Sequence, residues 1–311
     1  MKTVGRFAPT PSGRMHLGNL FSALLAWLSV RAQDGELILR MEDLDTQRTS
    51  PAYADQLRRD LAWLGLTWDR ETAPQSSRTE RYTEQFRRLE EMGLLYPCYC
   101  TRSRLHSVNA PHAADGVYVY DGHCRNLTPE ARAAYGRAPA WRIRVPEREI
   151  ALTDGLQGFY SELLTRDCGD FILRRADGVF VYQLAVVVDD GDAGVTEVVR
   201  GRDLLSSAPR QMYLQELLGY GHPRYYHVPM LLSHDGRRLS KRDGDLDLDA
   251  LSRRMSREAL LGWLAFWAGI QKTPRPTDLE TLRETFDWSK IPRQDVCIRE
   301  TMGEKEERNG Q

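Results

Sequence analysis

The sequence predicts an α/β protein built on a doubly wound, Rossmann-type parallel sheet, with an insertion and a small helical C-terminal domain. Three observations support this prediction. Short apolar runs alternate with helix-spaced apolar stripes over residues 1–94 and again over 166–235. Between them, residues 95–165 are rich in turn formers and contain three of the five cysteines. Residues 236–311 carry mainly helical patterns, so we expect two halves of one sheet, an insertion and a C-terminal domain with these boundaries.

The first half contains two predicted strands and three predicted helices. Apolar runs predict strands over residues 4–8 and 36–42. The first helix lies between them, because apolar residues recur there at spacings of three and four. This stripe consists of Leu17, Leu20, Phe21, Leu24, Leu25 and Leu28. Ser50 followed by Pro51 predicts the start of the second helix, and Gly93 predicts the end of the third.

The insertion and the second half give weaker patterns. One clear strand is predicted in the insertion, over residues 141–145. A helix is predicted near residues 208–218, and an apolar stripe that includes Leu260 and Trp267 predicts another in the C-terminal domain. The remaining apolar runs predict strands over residues 171–173, 179–182, 186–188, 195–199 and 227–232.

The composition excludes several classes of protein. The 311 residues include 43 Lys and Arg against 44 Asp and Glu, and the net charge of −1 excludes a protein that holds nucleic acid by bulk positive charge. No apolar run approaches the ~18–20 residues that a membrane-spanning helix needs, and no secretory signal opens the chain. Five cysteines in such a chain predict thiols or metal ligands rather than disulfides. We expect a cytoplasmic protein with no membrane partner, and a monomer.

The strongest local signal is the turn between the first strand and the first helix, Pro-Thr-Pro-Ser-Gly-Arg-Met-His-Leu-Gly-Asn at residues 9–19. In a doubly wound sheet such a turn meets the phosphates of a nucleotide, because a strand's carboxyl end and a helix's amino end coincide there. His16 and Asn19 could donate to phosphate oxygens. The glycine spacing matches neither GxGxxG nor GxxxxGK[ST]. Taken alone, an ordinary turn with a helix cap is the more common explanation.

A second signal is the basic loop Gly-Arg-Arg-Leu-Ser-Lys-Arg at residues 236–242, which follows the last predicted strand. Its positive charges could hold a triphosphate and the pyrophosphate that leaves. A basic surface loop is the more common explanation of this segment when it is taken alone.

Together the two segments resemble the signatures of class I aminoacyl-tRNA synthetases. The HIGH signature is similar to His-Leu-Gly-Asn at residues 16–19, and the KMSKS signature to Arg-Leu-Ser-Lys-Arg at 238–242. The glutamyl branch is the most similar, through Arg-Phe-Ala-Pro-Thr at 6–10, Arg-Met-Glu-Asp-Leu-Asp at 40–45 and the segment 182–201. The resemblance covers roughly the first 243 residues and implies the Rossmann-type catalytic domain of that family.

Glutamate offers one ammonium and two carboxylates to a binding site. Arg6 and Arg200 could each hold a carboxylate in bidentate fashion, Glu42 could pair with the ammonium, and Tyr182 could add a hydroxyl contact. A surface ion pair for each arginine and a buried strand position for Tyr182 are the alternatives for the isolated residues. The resemblance implies the glutamate-contact positions Arg6, Ala8, Thr10, Glu42, Tyr182 and Arg200. It implies the ATP-binding positions Ser12, His16, Gly18, Asn19 and Lys241. His16, Asn19 and Lys241 are the residues it implies for catalysis.

One position departs from the family pattern. Val186 stands where full-length glutamyl-tRNA synthetases carry Asn in their Tyr-x-Leu-Ala-Asn segment, and we expect the loss of that amide to weaken glutamate binding. Asp189 and Asp190 follow closely. They could bind Mg²⁺, but we favour a structural role for both.

Three cysteines of the insertion, Cys98, Cys100 and Cys124, suit a tetrahedral structural zinc ion, which needs a fourth ligand. Reduced, buried cysteines are the alternative. The candidates for the fourth ligand are Tyr120, His123, His106 and His112. Zinc chemistry alone favours a histidine. The short relatives of glutamyl-tRNA synthetases, however, carry a similar Cys-x-Cys and Tyr-x3-Cys pattern, and this resemblance implies Tyr120.

The resemblance implies a ligase that converts L-glutamate and ATP, with Mg²⁺, into glutamyl-adenylate. Only about 70 residues follow Lys241, which is too few for the large anticodon-binding region of full-length glutamyl-tRNA synthetases. The short members of the family, which this chain resembles, transfer glutamate to the queuosine base at the first anticodon position of tRNA(Asp). The alternatives are a truncated glutamyl-tRNA synthetase that charges tRNA(Glu), a nucleotidyltransferase that makes a coenzyme adenylate, and a non-catalytic tRNA-binding paralogue. The cysteine-rich insertion and the set of Arg6, Glu42 and Arg200 argue against the nucleotidyltransferase. The two intact ATP signatures argue against the non-catalytic paralogue.

Overall fold

The computed structural model describes residues 2–101, 104, 119–237, 239 and 247–298. The predictions for Lys241, His106 and His112 lie outside the described residues. The strands, numbered in chain order, are β1 (Val4–Phe7), β2 (Glu36–Leu39), β3 (Arg70–Glu71), β4 (Leu95–Cys98), β5 (Ala140–Ile143), β6 (Glu149–Asp154), β7 (Gly158–Leu163), β8 (Ile172–Arg174), β9 (Glu197–Gly201), β10 (Arg224–Val228), β11 (Leu231–Leu232) and β12 (Val296–Cys297). The α-helices are α1 (Leu17–Arg31), α2 (Pro51–Leu64), α3 (Thr79–Glu91), α4 (Pro129–Ala133), α5 (Leu164–Asp167), α6 (Tyr182–Ala193), α7 (Ala208–Leu218), α8 (Leu248–Ser252), α9 (Arg257–Trp267) and α10 (Leu279–Thr285). Short 3₁₀ helices cover Gln75–Arg78, Arg202–Ser207 and Trp288–Lys290.

The main sheet has five parallel strands in the order β10-β9-β1-β2-β3. Successive side chains of a strand face opposite sides of the sheet. In β2, Leu37 and Leu39 accordingly enter one apolar core and Ile38 enters the other. Helices α1, α2 and α9 contribute to the first core, and α3, α6 and α7 contribute to the second. Both faces are covered by helices, which confirms the predicted doubly wound parallel sheet.

Helix α1 is the central helix of the first core, and its side chains are buried around most of its circumference. A helix that is apolar on all sides is stable only when it is enclosed in this way. Its first turn is fixed by two residues of the predicted site. His16 Nδ1 accepts from the Gly18 backbone N at 3.1 Å, and Asn19 Oδ1 accepts from the His16 backbone N at 3.3 Å. The turn at residues 9–19 therefore ends in a capped, well-defined helix start.

The predicted helix signals in the first half are confirmed. The Ser50 hydroxyl accepts from the Ala52 backbone N at 3.3 Å, and Pro51 is the first residue of α2. Helix α2 ends at Gly65, whose φ of 78° lies in the left-handed region that glycine adopts without strain. Helix α3 ends two residues before Gly93, where φ is 71°.

The insertion forms two small antiparallel sheets. The strand predicted over 141–145 is present as β5, which pairs with both β4 and β8. Strands β6 and β7 form a separate hairpin. The apolar run predicted over 171–173 is a strand, but it joins the β4-β5-β8 sheet and not the main parallel sheet.

One secondary-structure prediction is wrong. Residues 182–193 form helix α6, although apolar runs predicted strands over 179–182 and 186–188. The valines of this segment are buried on all sides in the second core, and such a run cannot be distinguished from a buried strand by periodicity. Similarly, the strand predicted over 227–232 is divided between β10 and β11.

The C-terminal helices pack against the sheet side that contains α1. The Leu248 backbone N donates to Met15 O at 3.1 Å, and Asp247 forms a single antiparallel bridge with His16. These contacts bring the start of the C-terminal part to the turn at residues 9–19. Within the described ranges, no helix has the length and apolar character needed to cross a membrane.

Candidate active site

A cavity of about 670 Å³ opens at the carboxyl ends of β1, β2 and β9, beside the amino end of α1. This edge of a doubly wound sheet is where ligands bind in such folds. All the described residues that the sequence predicts for glutamate and ATP line this cavity. They are Arg6, Ala8, Thr10, Ser12, His16, Gly18, Asn19, Glu42, Tyr182 and Arg200. Leu239, from the predicted basic loop, lines it as well.

Arg6 is held at the cavity wall by a buried ion-pair network. Its side chain is 4% exposed, its Nε lies 3.3 Å from Asp190 Oδ2, and its Nη1 donates to Val199 O at 3.2 Å. Arg40 lies beneath it and reaches the same carboxylate, with Nη1 2.6 Å from Asp190 Oδ1. Burial opposes ionisation of Asp190, but Arg40 and Arg6 outweigh it and hold the pKa of that carboxyl below its usual value. Asp190 therefore has the structural role that we favour from the sequence.

Glu42 lies next to these arginines, and its side chain is 11% exposed. Its Oε1 lies 3.1 Å from Arg40 Nη2. Burial raises the pKa of Glu42, although Arg40 and Arg6 act in the opposite direction. A positive group brought to this carboxylate from the cavity would favour its ionised form. Glu42 is thus suited to bind an ammonium group.

Arg200, on the neighbouring strand β9, is fixed by four hydrogen bonds. Its Nε donates to His227 Nε2 at 2.9 Å, and its Nη2 donates to Leu204 O at 3.2 Å. Its Nη1 donates to Gln211 Oε1 at 2.7 Å and to the Tyr182 hydroxyl at 3.3 Å. Tyr182 is the first residue of α6, so the alternative of a buried strand position does not apply. The hydroxyl contact predicted for Tyr182 is available at the cavity wall.

The amino end of α1 forms the other side of the cavity. Because His16 Nδ1 accepts from the Gly18 backbone N, the proton of the neutral imidazole is on Nε2. A Cβ at position 18 would lie 3.0 Å from His16 Cε1, so a larger residue there would press on the imidazole ring. The partial positive charge at a helix amino end attracts phosphate. His16 and the first turn of α1 are therefore suited to bind an anion.

Two aspartates of α6, Asp189 and Asp190, lie behind the cavity, and so does Val186. Asp189 Oδ2 accepts from Gln75 Nε2 at 2.7 Å and from the Tyr82 hydroxyl at 2.9 Å, which gives it a structural role. Val186 is 1% exposed in the second core and is not among the described residues that line the cavity. Its expected effect on glutamate binding stays a prediction.

Sequence reasoning missed three residues that hold the site together, namely Arg40, Gln211 and His227. Arg40 and His227 are both buried at 0% exposure next to apolar strand residues. A charged or polar side chain inside an apolar run must find a partner, and this was the available signal. Nothing in the sequence distinguishes Gln211 from other polar residues of α7.

Three cysteines of the insertion form a separate cluster. The Sγ atoms of Cys98, Cys100 and Cys124 all lie within 4.8 Å of one another, and Cys100 and Cys124 are 3.6 Å apart. Zinc–sulfur bonds of ~2.3 Å in a tetrahedron place sulfur atoms about 3.8 Å apart. The Tyr120 hydroxyl lies 3.5 Å from Cys98 Sγ and 3.6 Å from Cys100 Sγ. The donor set and its spacing suit a tetrahedral ion.

Arg142 contacts two of the four candidate ligands of this cluster. Arg142 Nε donates to Cys98 Sγ at 3.3 Å, and its Cζ lies 3.8 Å from the centroid of the Tyr120 ring. Burial opposes ionisation of Cys98, but its hydrogen bond with Tyr120 and the charge of Arg142 lower the pKa of this thiol, whereas burial and the neighbouring sulfur atoms raise the pKa of Cys100 to about 11. His123, by contrast, is exposed to solvent. Of the two candidates for a fourth ligand that the structure describes, only Tyr120 faces the cysteines.

The model of one protein family, described as the catalytic domain of class I tRNA synthetases (E and Q), matches residues 2–265. A protein from Symbiobacterium thermophilum, named glutamyl-Q tRNA(Asp) synthetase, is 47% identical over 309 residues, which cover 94% of this chain and 95% of the relative. A protein of the same name from Neisseria meningitidis serogroup C is 44% identical over 92% of this chain and 93% of the relative.

Comparison with solved structures also finds a tRNA ligase. A glutamate tRNA ligase from Elizabethkingia meningosepticum, in complex with its amino acid, superposes with a TM-score of 0.80 at 26% identity. The match covers 96% of this chain and 67% of that ligase.

Proposed function

The chain belongs to the family of class I tRNA synthetases of the E and Q group, and from this membership we propose that it activates L-glutamate with ATP and transfers it to queuosine in the anticodon of tRNA(Asp). One observation carries the proposal. The described residues predicted for glutamate and for ATP line one cavity, with two buried arginines and one partly buried glutamate available for the three charges of the amino acid. The names of the relatives from Symbiobacterium thermophilum and Neisseria meningitidis support queuosine as the acceptor.

Charge complementarity defines the glutamate site. Arg6 and Arg200 each present a guanidinium group to the cavity and would each bind one carboxylate. Glu42 would bind the ammonium, and the ammonium would in turn stabilise its ionised form. Tyr182 would add a hydroxyl contact, and Ala8 and Thr10 would shape the wall. An amino acid that lacks the second carboxylate would leave one of these arginines without its carboxylate ligand, so the site should discriminate against it.

The first chemical step needs no protein nucleophile. A glutamate carboxylate oxygen attacks the α-phosphorus of ATP, and the bond to the bridging oxygen breaks as pyrophosphate leaves. Ser12 and Gly18 would bind ATP, and His16, Asn19 and Lys241 would donate to the phosphates and stabilise the charge that develops, while Mg²⁺ arrives with ATP. Leu239 lines the cavity, and Asp247 forms a backbone bridge with His16. Both ends of the segment that contains Lys241 therefore lie beside the cavity in which the phosphates would bind.

The second step transfers the glutamyl group to RNA. A hydroxyl of the queuosine cyclopentene ring attacks the carbonyl carbon of glutamyl-adenylate, and AMP leaves. ATP, which is used in the first step, and tRNA, which is used in the second, are cytoplasmic, so we place the reaction in the cytoplasm. The remaining alternative within the family is the charging of tRNA(Glu) at its 3′ end.

We further propose that Cys98, Cys100, Cys124 and Tyr120 bind one zinc ion. The ion would neutralise the thiolates and cross-link the end of β4 and the residues just after it to the turn that precedes α4. None of the four is among the described residues that line the cavity, which supports a structural role for this site.

Transfer of radiolabelled glutamate to purified tRNAs tests the proposed function. The substrates are tRNA(Asp) with queuosine, tRNA(Asp) without it, tRNA(Glu), and queuosine-containing tRNA(Asp) from which the 3′-terminal adenosine has been removed. We expect labelling of the first and the last only. Labelling of tRNA(Glu), or loss of labelling when the 3′ adenosine is absent, would show charging at the 3′ end and would contradict the proposal.

A further inference from the structure

A buried chain of three polar side chains runs from the hairpin of the insertion to the cavity. Asp154, at the end of β6, lies with Oδ2 2.6 Å from His227 Nδ1 on β10. His227 Nε2 in turn accepts from Arg200 Nε on β9 at 2.9 Å. The side chains of Asp154 and His227 are both 0% exposed. Neither residue is among the described residues that line the cavity, so both would act on a ligand through Arg200 and not by direct contact.

The hydrogen bonds determine the state of the imidazole. An arginine N–H can only donate, so Nε2 of His227 must carry a lone pair. The proton of the neutral ring is therefore on Nδ1, where it donates to the Asp154 carboxylate. A second proton on Nε2 would point at the Arg200 N–H and would place two cations in contact. The charged or titratable groups around the ring are Arg200, Arg6 and Tyr225 besides Asp154, and only Asp154 is negative.

Asp154 is itself held in one orientation. Its Oδ1 accepts from the backbone N of Leu156 at 2.9 Å and of Gln157 at 2.8 Å, in the turn between β6 and β7. Its Oδ2 is therefore the atom that faces His227. Burial opposes ionisation of Asp154, but the hydrogen bonds from His227 and from this turn lower the pKa of the carboxyl. The carboxylate remains an acceptor, as the Nδ1–H tautomer requires.

We propose that Asp154 and His227 are positioning residues that set the orientation of Arg200 for its substrate carboxylate, through a fixed Nδ1–H tautomer of His227. Since His227 occupies the Nε edge of the guanidinium, a carboxylate in the cavity must be bound by the Nη atoms, of which Nη1 already donates to Gln211 and Tyr182 and Nη2 to Leu204 O. The orientation of that edge depends on an acceptor at His227 Nε2. This inference rests on the proposed function only for the identity of the bound carboxylate as that of glutamate.

The tautomer can be observed in the unaltered protein, independently of activity. In protein labelled with ¹⁵N at histidine, we expect His227 to show the neutral Nδ1–H pattern at pH 7 and to keep it below the ordinary histidine pKa of ~6.5. A spectrum of the His227→Gln protein, or backbone assignment, identifies the signal among the seven histidines. An Nε2–H tautomer or an imidazolium at pH 7 would overturn the inference even if the enzyme is active.

Asp154→Asn tests the consequence for binding. The amide oxygen is expected to stay with the two backbone N–H groups, so the amide nitrogen faces His227 Nδ1 and forces the proton to Nε2, against Arg200. Glutamate-dependent ATP–pyrophosphate exchange should then show a KM for glutamate that rises about tenfold to a hundredfold, with the KM for ATP little changed. A general loss of folding would instead lower kcat and leave both KM values unchanged.

A second variant separates the tautomer from simple loss of a contact. His227→Gln keeps an acceptor for Arg200 but has no tautomer to reverse, so Asp154→Asn should add little to the KM for glutamate in that background. Full additivity of the two substitutions, or equal changes in both KM values, would refute the positioning role. If the unaltered protein shows no glutamate-dependent exchange, the proposed function fails, while the ¹⁵N result still decides the inference.

Discussion

Asp190 binds both Arg6 and Arg40, with its two carboxylate oxygens 3.3 Å from Arg6 Nε and 2.6 Å from Arg40 Nη1. The side chain of Arg40 is 1% exposed, so its charge has no access to solvent. A buried ion pair contributes little net stability, but the removal of one partner leaves an uncompensated charge in the interior. The same carboxylate thus links α6 to the ends of β1 and β2 and fixes Arg6 at the cavity wall.

We expect Asp190→Asn to lower the free energy of unfolding by about 3–5 kcal/mol, because Arg40 and Arg6 lose their shared counter-charge. Urea denaturation measures this change. The control is Asp55→Asn, which breaks a surface pair in which the aspartate is 63% exposed and should cost less than about 1 kcal/mol. Equal costs for the two substitutions would show that the network under the cavity is not needed for stability.

We expect His16→Asn to reduce glutamate-dependent ATP–pyrophosphate exchange by about 10²–10³-fold, since it removes the donor that we propose for the phosphates in the transition state. Asparagine can still cap α1, so this substitution separates catalysis from the start of the helix. Lys241→Ala should have an effect of the same kind. Exchange at the unaltered rate in either protein, with the fold intact by circular dichroism, would refute the role assigned to that residue.

The sequence predicts the cavity better than it predicts the contacts that hold it. Motifs such as the turn at residues 9–19 are local in the sequence. In a doubly wound sheet the carboxyl ends of the parallel strands bring such motifs together at one edge. Arg40 and Asp190 are 150 positions apart, and their pairing depends on tertiary packing that no local pattern records. The helical state of residues 182–193 was missed for a related reason, because a fully buried valine run has no polar face to reveal its period.

The cysteine cluster predicts one zinc ion per chain. Cys124→Ser should abolish stoichiometric zinc, measured by elemental analysis, and lower the melting temperature, because the remaining donors cannot complete a tetrahedral site. Tyr120→Phe should weaken zinc binding while the ring keeps its contact with Arg142. Cys168→Ser is the control, since Cys168 is buried outside the cluster and donates to Leu164 O. Retention of zinc by the Cys124→Ser protein would contradict the proposed ligand set.

The buried His227 predicts a dependence of stability on pH. Burial lowers the pKa of His227, and the charge of Arg200 adds to this shift against the hydrogen bond to Asp154. Below the ordinary histidine pKa of ~6.5 the unfolded chain binds a proton at this position that the folded chain does not, so stability falls as the pH falls. The slope of this dependence is at most about 1.36 kcal/mol per pH unit, and it is lost once the pH falls below the lowered pKa of the folded protein. His227→Gln should remove this contribution to the pH dependence. The free energies of unfolding of the unaltered and the His227→Gln proteins, measured in urea, should therefore converge as the pH falls. Parallel pH profiles for the two proteins would show that His227 titrates alike in the folded and unfolded chains.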